Sequence, residues 1–347
     1  MDPLSIALED PRKASLDDLL AQDDHATIAH EPSVLAAVGR AYRLRTLVAV
    51  ARRGDAIVGA LPLVCVRGPL GAVLASTAYF DSGGPLGDAE VREILVARAA
   101  HEALARGAVL ELRSPRPLGP VPGLASSVAG DKATLVRALP TDENEVVSDL
   151  DPKTRNQLRK TLREGLSSET VPADDLALAA FHAVYARTLR DLGSPPHSLR
   201  FFREVARALP GRAHVARVSD PAGRLLAAAL VLDDRREGCV LPWAASDRRA
   251  DALEPNTLLY YELLAGAIRR GKRRFDFGRS TLGSPQHRFK ERWGALPLPL
   301  HWTVVARRTT RPLTRDARLE RARALWRKFP VGLSALAGSL LLRWLAA

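Results

Sequence analysis

One pattern occurs twice in this chain, and it constrains the fold more than any single motif. In the first half, residues 47–50 and 57–66 read as two strands, joined by a turn at Arg53, Gly54 and Asp55. A helix over residues 89–105 follows, then Gly107, then a strand at 109–112 that runs into Arg113 and Ser114. In the second half, residues 215–218, a turn at 220–223 and residues 225–232 repeat the hairpin. A helix over 258–269, then Gly271, then a strand at 275–277 and Arg279 with Ser280 repeat the rest. Glycine suits both helix ends because it accepts the left-handed backbone that a C-terminus requires. The period is far longer than that of a solenoid, so the repeat predicts twin α/β domains. The expected boundaries are 1–145, 146–306 and a tail at 307–347. The Pro- and Gly-rich stretch at 115–125 reads as a stiff connector, with one more strand of the first domain at 134–139.

A chain of 347 residues has room for two such domains and enough core to fold without staples. Its two cysteines, Cys65 and Cys239, lie in apolar strand-like runs. That predicts buried free thiols rather than a disulfide or metal site, and a reducing, cytoplasmic setting. The N-terminus shows no basic segment followed by an apolar one, so no secretory leader is expected. A net charge of +12 would draw polyanions or an anionic membrane surface, although an arginine-rich composition alone gives the same sign. The basic residues are scattered rather than interleaved with aromatics, which ranks nucleic-acid binding last. No zinc spacing, Walker loop, dinucleotide fingerprint or nucleophile elbow occurs.

Candidate site residues gather at the end of the second repeat. Gly278 ends the short strand 275–277, where a missing side chain lets a ligand approach the backbone. Arg279 and Ser280 follow and can point at that ligand, while Asp276 fits either the site or a structural role. Phe289, Lys290 and Trp293 place a ring, a cation and an indole on one helical turn. Upstream, Asp151 and Pro152 open a helix on which Arg155, Arg159 and Arg163 recur every four residues. Such a ridge suits phosphates, and it equally fits a solvated helix face. His197 stands on a loop before a helix, placed either to accept a proton or to bond backbone. Trp243 fits a cleft wall or a core; Asn256 and Tyr260 open the helix before the site, and Asp81 precedes two glycines in a loop. Residues 331–347 are apolar apart from Ser334, Ser339 and Arg343, after an arginine-rich run at 307–328. That is short for a membrane span. It predicts either a helix lying on the inner leaflet or a terminal helix packed on a domain.

Several of these blocks together resemble FemAB-related proteins, in the branch associated with exosortase/PEP-CTERM exopolysaccharide systems. The resemblance is carried by Asp276-Phe-Gly-Arg-Ser280, Phe289-Lys-Glu-Arg-Trp-Gly294 and Pro299-Leu-His-Trp302. Pro242-Trp-Ala-Ala-Ser246, Asn256-Thr-Leu-Leu-Tyr260, His197-Ser-Leu-Arg-Phe-Phe202 and Arg155-Asn-Gln-Leu-Arg-Lys160 add to it, as do residues 58–63 and 82–84. It spans roughly residues 15 to 305. It implies two tandem GNAT-like domains, each a mixed, mostly antiparallel sheet flanked by helices. It also implies an acyl- or aminoacyltransferase that builds an amide or ester on a cell-envelope or exopolysaccharide precursor. The donor would be a co-substrate, aminoacyl-tRNA or acyl-CoA, with no bound cofactor and no metal. Partners would be a glycan or lipid-linked precursor, charged tRNA as one candidate donor, and the anionic inner membrane. Lys290 would face the acyl carbonyl or the donor phosphate, Phe289 would line the donor, and Arg279 would hold an anion. The Arg/Gln-x-x-Gly-x-Gly/Ala loop of acetyl-CoA enzymes is missing, and so is a coiled-coil insertion for tRNA. The alternatives are an acyl-CoA-dependent N-acyltransferase and a non-catalytic assembly factor for polysaccharide export.

Overall fold

The computed structural model describes residues 2–69, 71–308 and 317–345. Twelve strands follow one another among these residues: β1 (Leu4–Glu9), β2 (Arg45–Arg53), β3 (Ala56–Gly68), β4 (Gly71–Ala75), β5 (Val109–Ser114), β6 (Ala125–Ala138), β7 (Ser167–Pro172), β8 (Ala213–Ser219), β9 (Leu225–Asp233), β10 (Gly238–Ser246), β11 (Arg274–Thr281) and β12 (Leu296–Ala306). They divide between two compact units. The first holds Met1–Lys132, Pro299–Arg315 and Leu340–Ala347; the second holds Ala133–Leu298 and Asp316–Ser339.

The first unit's strands lie in the order β1-β2-β3-β4-β5-β12. The first four pair antiparallel, β4 pairs parallel to β5, and β12 pairs antiparallel to β5 from His301↔Ser114 to Val305↔Leu110. The helix Ala89–Ala105, capped by Asp88, lays Val91, Leu95, Val96 and Ala99 on Leu61, Leu63, Leu74 and Leu110. Alternating apolar residues from central strands and a 3.6-period face from the helix thus close one core.

The second unit repeats this order as β7-β8-β9-β10-β11-β6. Strands β7 to β10 are antiparallel and β10 pairs parallel to β11. The helix Pro255–Arg269 buries Leu258, Leu259, Leu263 and Leu264 against Phe275, Phe277 and Trp293. The duplicated pattern is therefore a duplicated fold: in each unit, six mixed, mostly antiparallel strands flanked by helices. Cys65 and Cys239 are free thiols, Cys239 buried and Cys65 half-buried.

The expected boundaries require correction. Residues 133–138 are the sixth strand of the second unit, not a last strand of the first. Their side chains make the reason plain: Thr134 bonds Asp276, and Arg137 Nη1 donates to Trp293 O at 2.9 Å. Residues 299–306 return to the first unit, where the Arg113 guanidinium lies 4.3 Å over the Trp302 ring. The tail is not a separate unit either; its residues are shared between the two. It forms two helices, Ala317–Trp326 and Val331–Leu342, broken at Pro330. Residues 309–316 of its basic run and 346–347 of its apolar run lie outside the described residues.

Candidate functional site

Strands β10 and β11 start out side by side and then part. Their parallel register runs over Gly238↔Arg274, Cys239↔Phe275 and Val240↔Asp276. From Trp243 to Ser246, β10 stays paired with β9, after a register shift between Val240 and Trp243. Pro242 lies in that shift; it lacks an N–H and so cannot donate a ladder hydrogen bond to a neighbouring strand.

Beyond Asp276, side chains hold β11. Gly278 has φ +72°, a left-handed conformation that side chains oppose. Its N–H donates to Asp276 Oδ1 at 2.8 Å, and that carboxylate also accepts from Thr134 Oγ1. Lys290 Nζ donates to Gly278 O at 2.8 Å and to Arg279 O at 3.0 Å. Lys290 reaches them from the short helix Pro285–Glu291, which Ser284 caps by accepting from His287 N. The two kinked carbonyls are thus tied down by a charged donor, the stronger sort of hydrogen bond.

The neighbouring elements aim at the same strand ends. Asn256 Nδ2 donates to Ser246 Oγ at 2.9 Å, tying the first turn of the helix Pro255–Arg269 to the end of β10. Tyr260 sits one turn further on the same face. Its ring stands edge-on to Phe289 at 4.8 Å and nearly parallel to Phe277 at 5.9 Å, and burial pushes its phenol up to about 12. Trp293 is fully buried behind them. Arg279 is exposed, and Ser280 is 6 % exposed with a hydroxyl that has no hydrogen-bond partner among the described residues.

The structure therefore brings together Asp276, Gly278, Arg279, Ser280, Phe289, Lys290, Trp293, Asn256 and Tyr260. Other expected residues take different places. His197 is not presented to solvent: it is 7 % exposed, stacked 4.4 Å from Phe201 and edge-on to Trp243 at 5.9 Å. Burial, with a smaller repulsion from His182, pushes its ring down to about 3. This corrects its reading as a proton acceptor, because so weak a base seldom takes a proton near neutral pH. Trp243, 6 % exposed, belongs to the same aromatic cluster with Phe201 and Phe202. On the helix Pro152–Arg163, Arg155 turns back to bond Ser148 O and Leu150 O, while Arg159 is exposed. The four-residue ridge is therefore only partly available to a phosphate. Asp81 is half-buried in the first unit. Thr134 was missed by sequence reasoning: it lies 142 residues from Asp276, and no local spacing signals such a pair. No cluster of metal-ligating side chains occurs among the described residues.

The corresponding strand ends in the first unit are filled. After Ala75↔Glu111, Ser76 N donates to Glu111 O and Arg113 N donates to Ser76 Oγ. Gly83 N then donates to Arg113 O, and the Arg113 guanidinium bonds Phe80 O and Glu111. A Cβ at Gly84 would stand 2.7 Å from Ser114 Cβ, so the two segments touch. Loop 76–85 thus bonds the end of β5 beyond its pairing with β4.

Residues 152–291 match the family model of the acetyltransferase (GNAT) domain. The second unit is thus an acyltransferase domain of the GNAT type, and the chain is a transferase. The chain is similar in fold to FemX, with a TM-score of 0.65 at 13% identity over 86% of this chain and 96% of that one. It is also similar to a tandem GNAT protein from the clavulanic acid biosynthesis pathway, with a TM-score of 0.56 at 16% identity over 89% and 100%. The C-terminal domain of a putative lysylphosphatidylglycerol synthetase from Agrobacterium fabrum gives 0.54 at 14% identity over 90% and 94%. No curated protein matches in sequence.

Proposed function

We propose that the second unit transfers an acyl or aminoacyl group to an amine or hydroxyl of a cell-envelope or exopolysaccharide precursor, at the parted ends of β10 and β11. The parting itself carries this reading. Two strands that separate in a sheet leave backbone N–H and C=O groups facing a gap, and a donor chain with its own amides can pair with them. The chemistry required is modest. A donor ester or thioester is already activated, so the site has to align it, stabilise the developing oxyanion and pass on one proton.

Exposed Arg279 holds an anionic group of donor or acceptor. The Ser280 hydroxyl donates to the reacting carbonyl or to the acceptor. Lys290 acts at one remove: it fixes the carbonyls of Gly278 and Arg279 and so positions Arg279 and Ser280. Phe289 and Tyr260 form the apolar wall beside them. The donor is aminoacyl-tRNA or acyl-CoA; the fold shared with FemX favours the first and the GNAT domain match the second. The resemblance to exosortase/PEP-CTERM-associated proteins favours a sugar of an exopolysaccharide precursor as acceptor. An acceptor carried on a lipid would bring the protein to the inner face of the membrane.

A second reading is a non-catalytic assembly factor, favoured by the binding of Lys290 to two backbone carbonyls and by the burial of His197. The deciding experiment incubates purified protein with labelled acyl-CoA or labelled aminoacyl-tRNA and a lysate fraction of polymer precursors. Label passing from one donor, and lost in Arg279→Ala, supports transfer. No label from either donor, with the cellular phenotype kept in that variant, supports assembly.

A further inference from the structure

The helix Val331–Leu342 is packed the unusual way round. Two of its inward positions are small: Ser334 is fully buried, and a Cβ at Gly338 would stand 2.9 Å from Pro196 N and O, while Leu342 in the last turn is also buried. Three of its leucines point out. Leu333, Leu336 and Leu340 are 59%, 65% and 58% exposed. Spacings of three and four place them on one face, opposite the buried one. Leu325 on the preceding helix is 59% exposed, and Trp344 just beyond is 44% exposed. A soluble helix normally buries leucine and shows small or polar residues, so this stripe lacks its usual cover.

Cations border the stripe. Arg321, Arg327, Lys328 and Arg343 are all exposed. The only acid from residue 320 to residue 343 is Glu320, which pairs with Arg323 at 2.8 Å. A second copy of this chain would bring like charges together around the leucines. No helix among the described residues is long and apolar enough to cross a membrane.

We propose that this leucine face, with its cationic border, docks on an anionic lipid bilayer with the helix lying in the plane of the surface. The leucines enter the boundary between headgroups and acyl chains, Trp344 sits at headgroup level, and the arginines and Lys328 meet anionic headgroups. The inward small residues keep the helix seated on Pro196 while its outer face is in lipid. The inference does not depend on the acyl-transfer reading.

Full-length protein is floated with vesicles of phosphatidylcholine alone, or of phosphatidylcholine with phosphatidylglycerol. Binding is expected only to the anionic vesicles and is expected to fall steeply with added salt. Arg327→Gln with Lys328→Gln should weaken it about fivefold per cation removed. Leu333→Ser with Leu336→Ser should weaken it about tenfold or more at unchanged Tm, since both side chains are exposed. Anionic vesicles that leave the protein unbound would overturn the proposal, as would leucine variants that bind like the wild type. So would a dimer in sedimentation that Leu336→Ser dissolves, without any vesicle binding. The assay contains neither donor nor acceptor, so its failure is distinct from failure of the transfer reading.

Discussion

Lys290 and Arg279 are neighbours with different tasks, and substitution separates them. Lys290 is 8 % exposed and serves two carbonyls. Lys290→Met should cost about 1–3 kcal/mol, because it strands buried acceptors, and should lower transfer as the end of β11 loosens. Arg279 is exposed. Arg279→Ala should change stability by less than about 0.5 kcal/mol and raise KM for the anionic substrate. Urea unfolding and transfer kinetics on the two variants check the pair. Two buried histidines add a pH dependence. Burial first of all pushes His197 down to about 3 and His30 to about 4, against an ordinary 6.5. At pH 7.5 both rings are neutral, folded or unfolded. As pH falls through 6.5, the unfolded chain gains protons that the folded chain refuses, so stability is lost between about pH 6.5 and 4. Each ring should contribute about 1.4 kcal/mol per pH unit. His197→Phe keeps the stack on Phe201 and should make the loss shallower by about that amount, as read from urea midpoints at several pH values.

At the scale of elements, the kink in β11 is a test of the site. Gly278→Ala forces a side chain into φ +72° and should cost about 1–2 kcal/mol. Gly223, in the turn between β8 and β9, has φ +78° with open space around it. Gly223→Ala should therefore destabilise by a similar amount but leave transfer unchanged. Equal Tm losses with equal activity losses would remove the special role of the kink. Much of this element was legible in the sequence. The Phe-Asp-Phe alternation marked a strand; the end expected at Gly278 is instead a kink within it, since the strand runs on to Thr281. What was not legible is that β10 and β11 part at all. Separation depends on where pairing stops between strands joined by a long helical crossover, and no local pattern encodes that.

At the scale of the molecule, each unit takes its sixth strand from beyond the repeat that builds it: residues 299–306 for the first and residues 133–138 for the second. A fragment ending at Lys132 lacks the strand that covers β5 and the Trp302 ring under Arg113. It should aggregate or stay unfolded, since it leaves a bare, apolar sheet edge. Soluble yield and far-UV circular dichroism of that fragment decide the point; a folded, soluble product would contradict the assignment of β12. The boundary expected at 145 failed for the same reason. Residues 133–138 have a strand pattern, but a pattern does not say which sheet a strand joins.

The sequence by itself determined the duplication, with the hairpin, helix and following strand of each copy, the two free thiols and the close spacing of the residues from Asp276 to Trp293. Those follow from periodicity, from glycine at helix ends and from residues near one another in the chain. Only tertiary structure decided that Lys290 clasps backbone, that His197 lies among aromatic rings, that Thr134 serves Asp276, and that loop 76–85 bonds the end of β5. Such outcomes depend on which distant groups compete for each donor, acceptor and buried surface, and that competition is settled only when the chain has closed on itself.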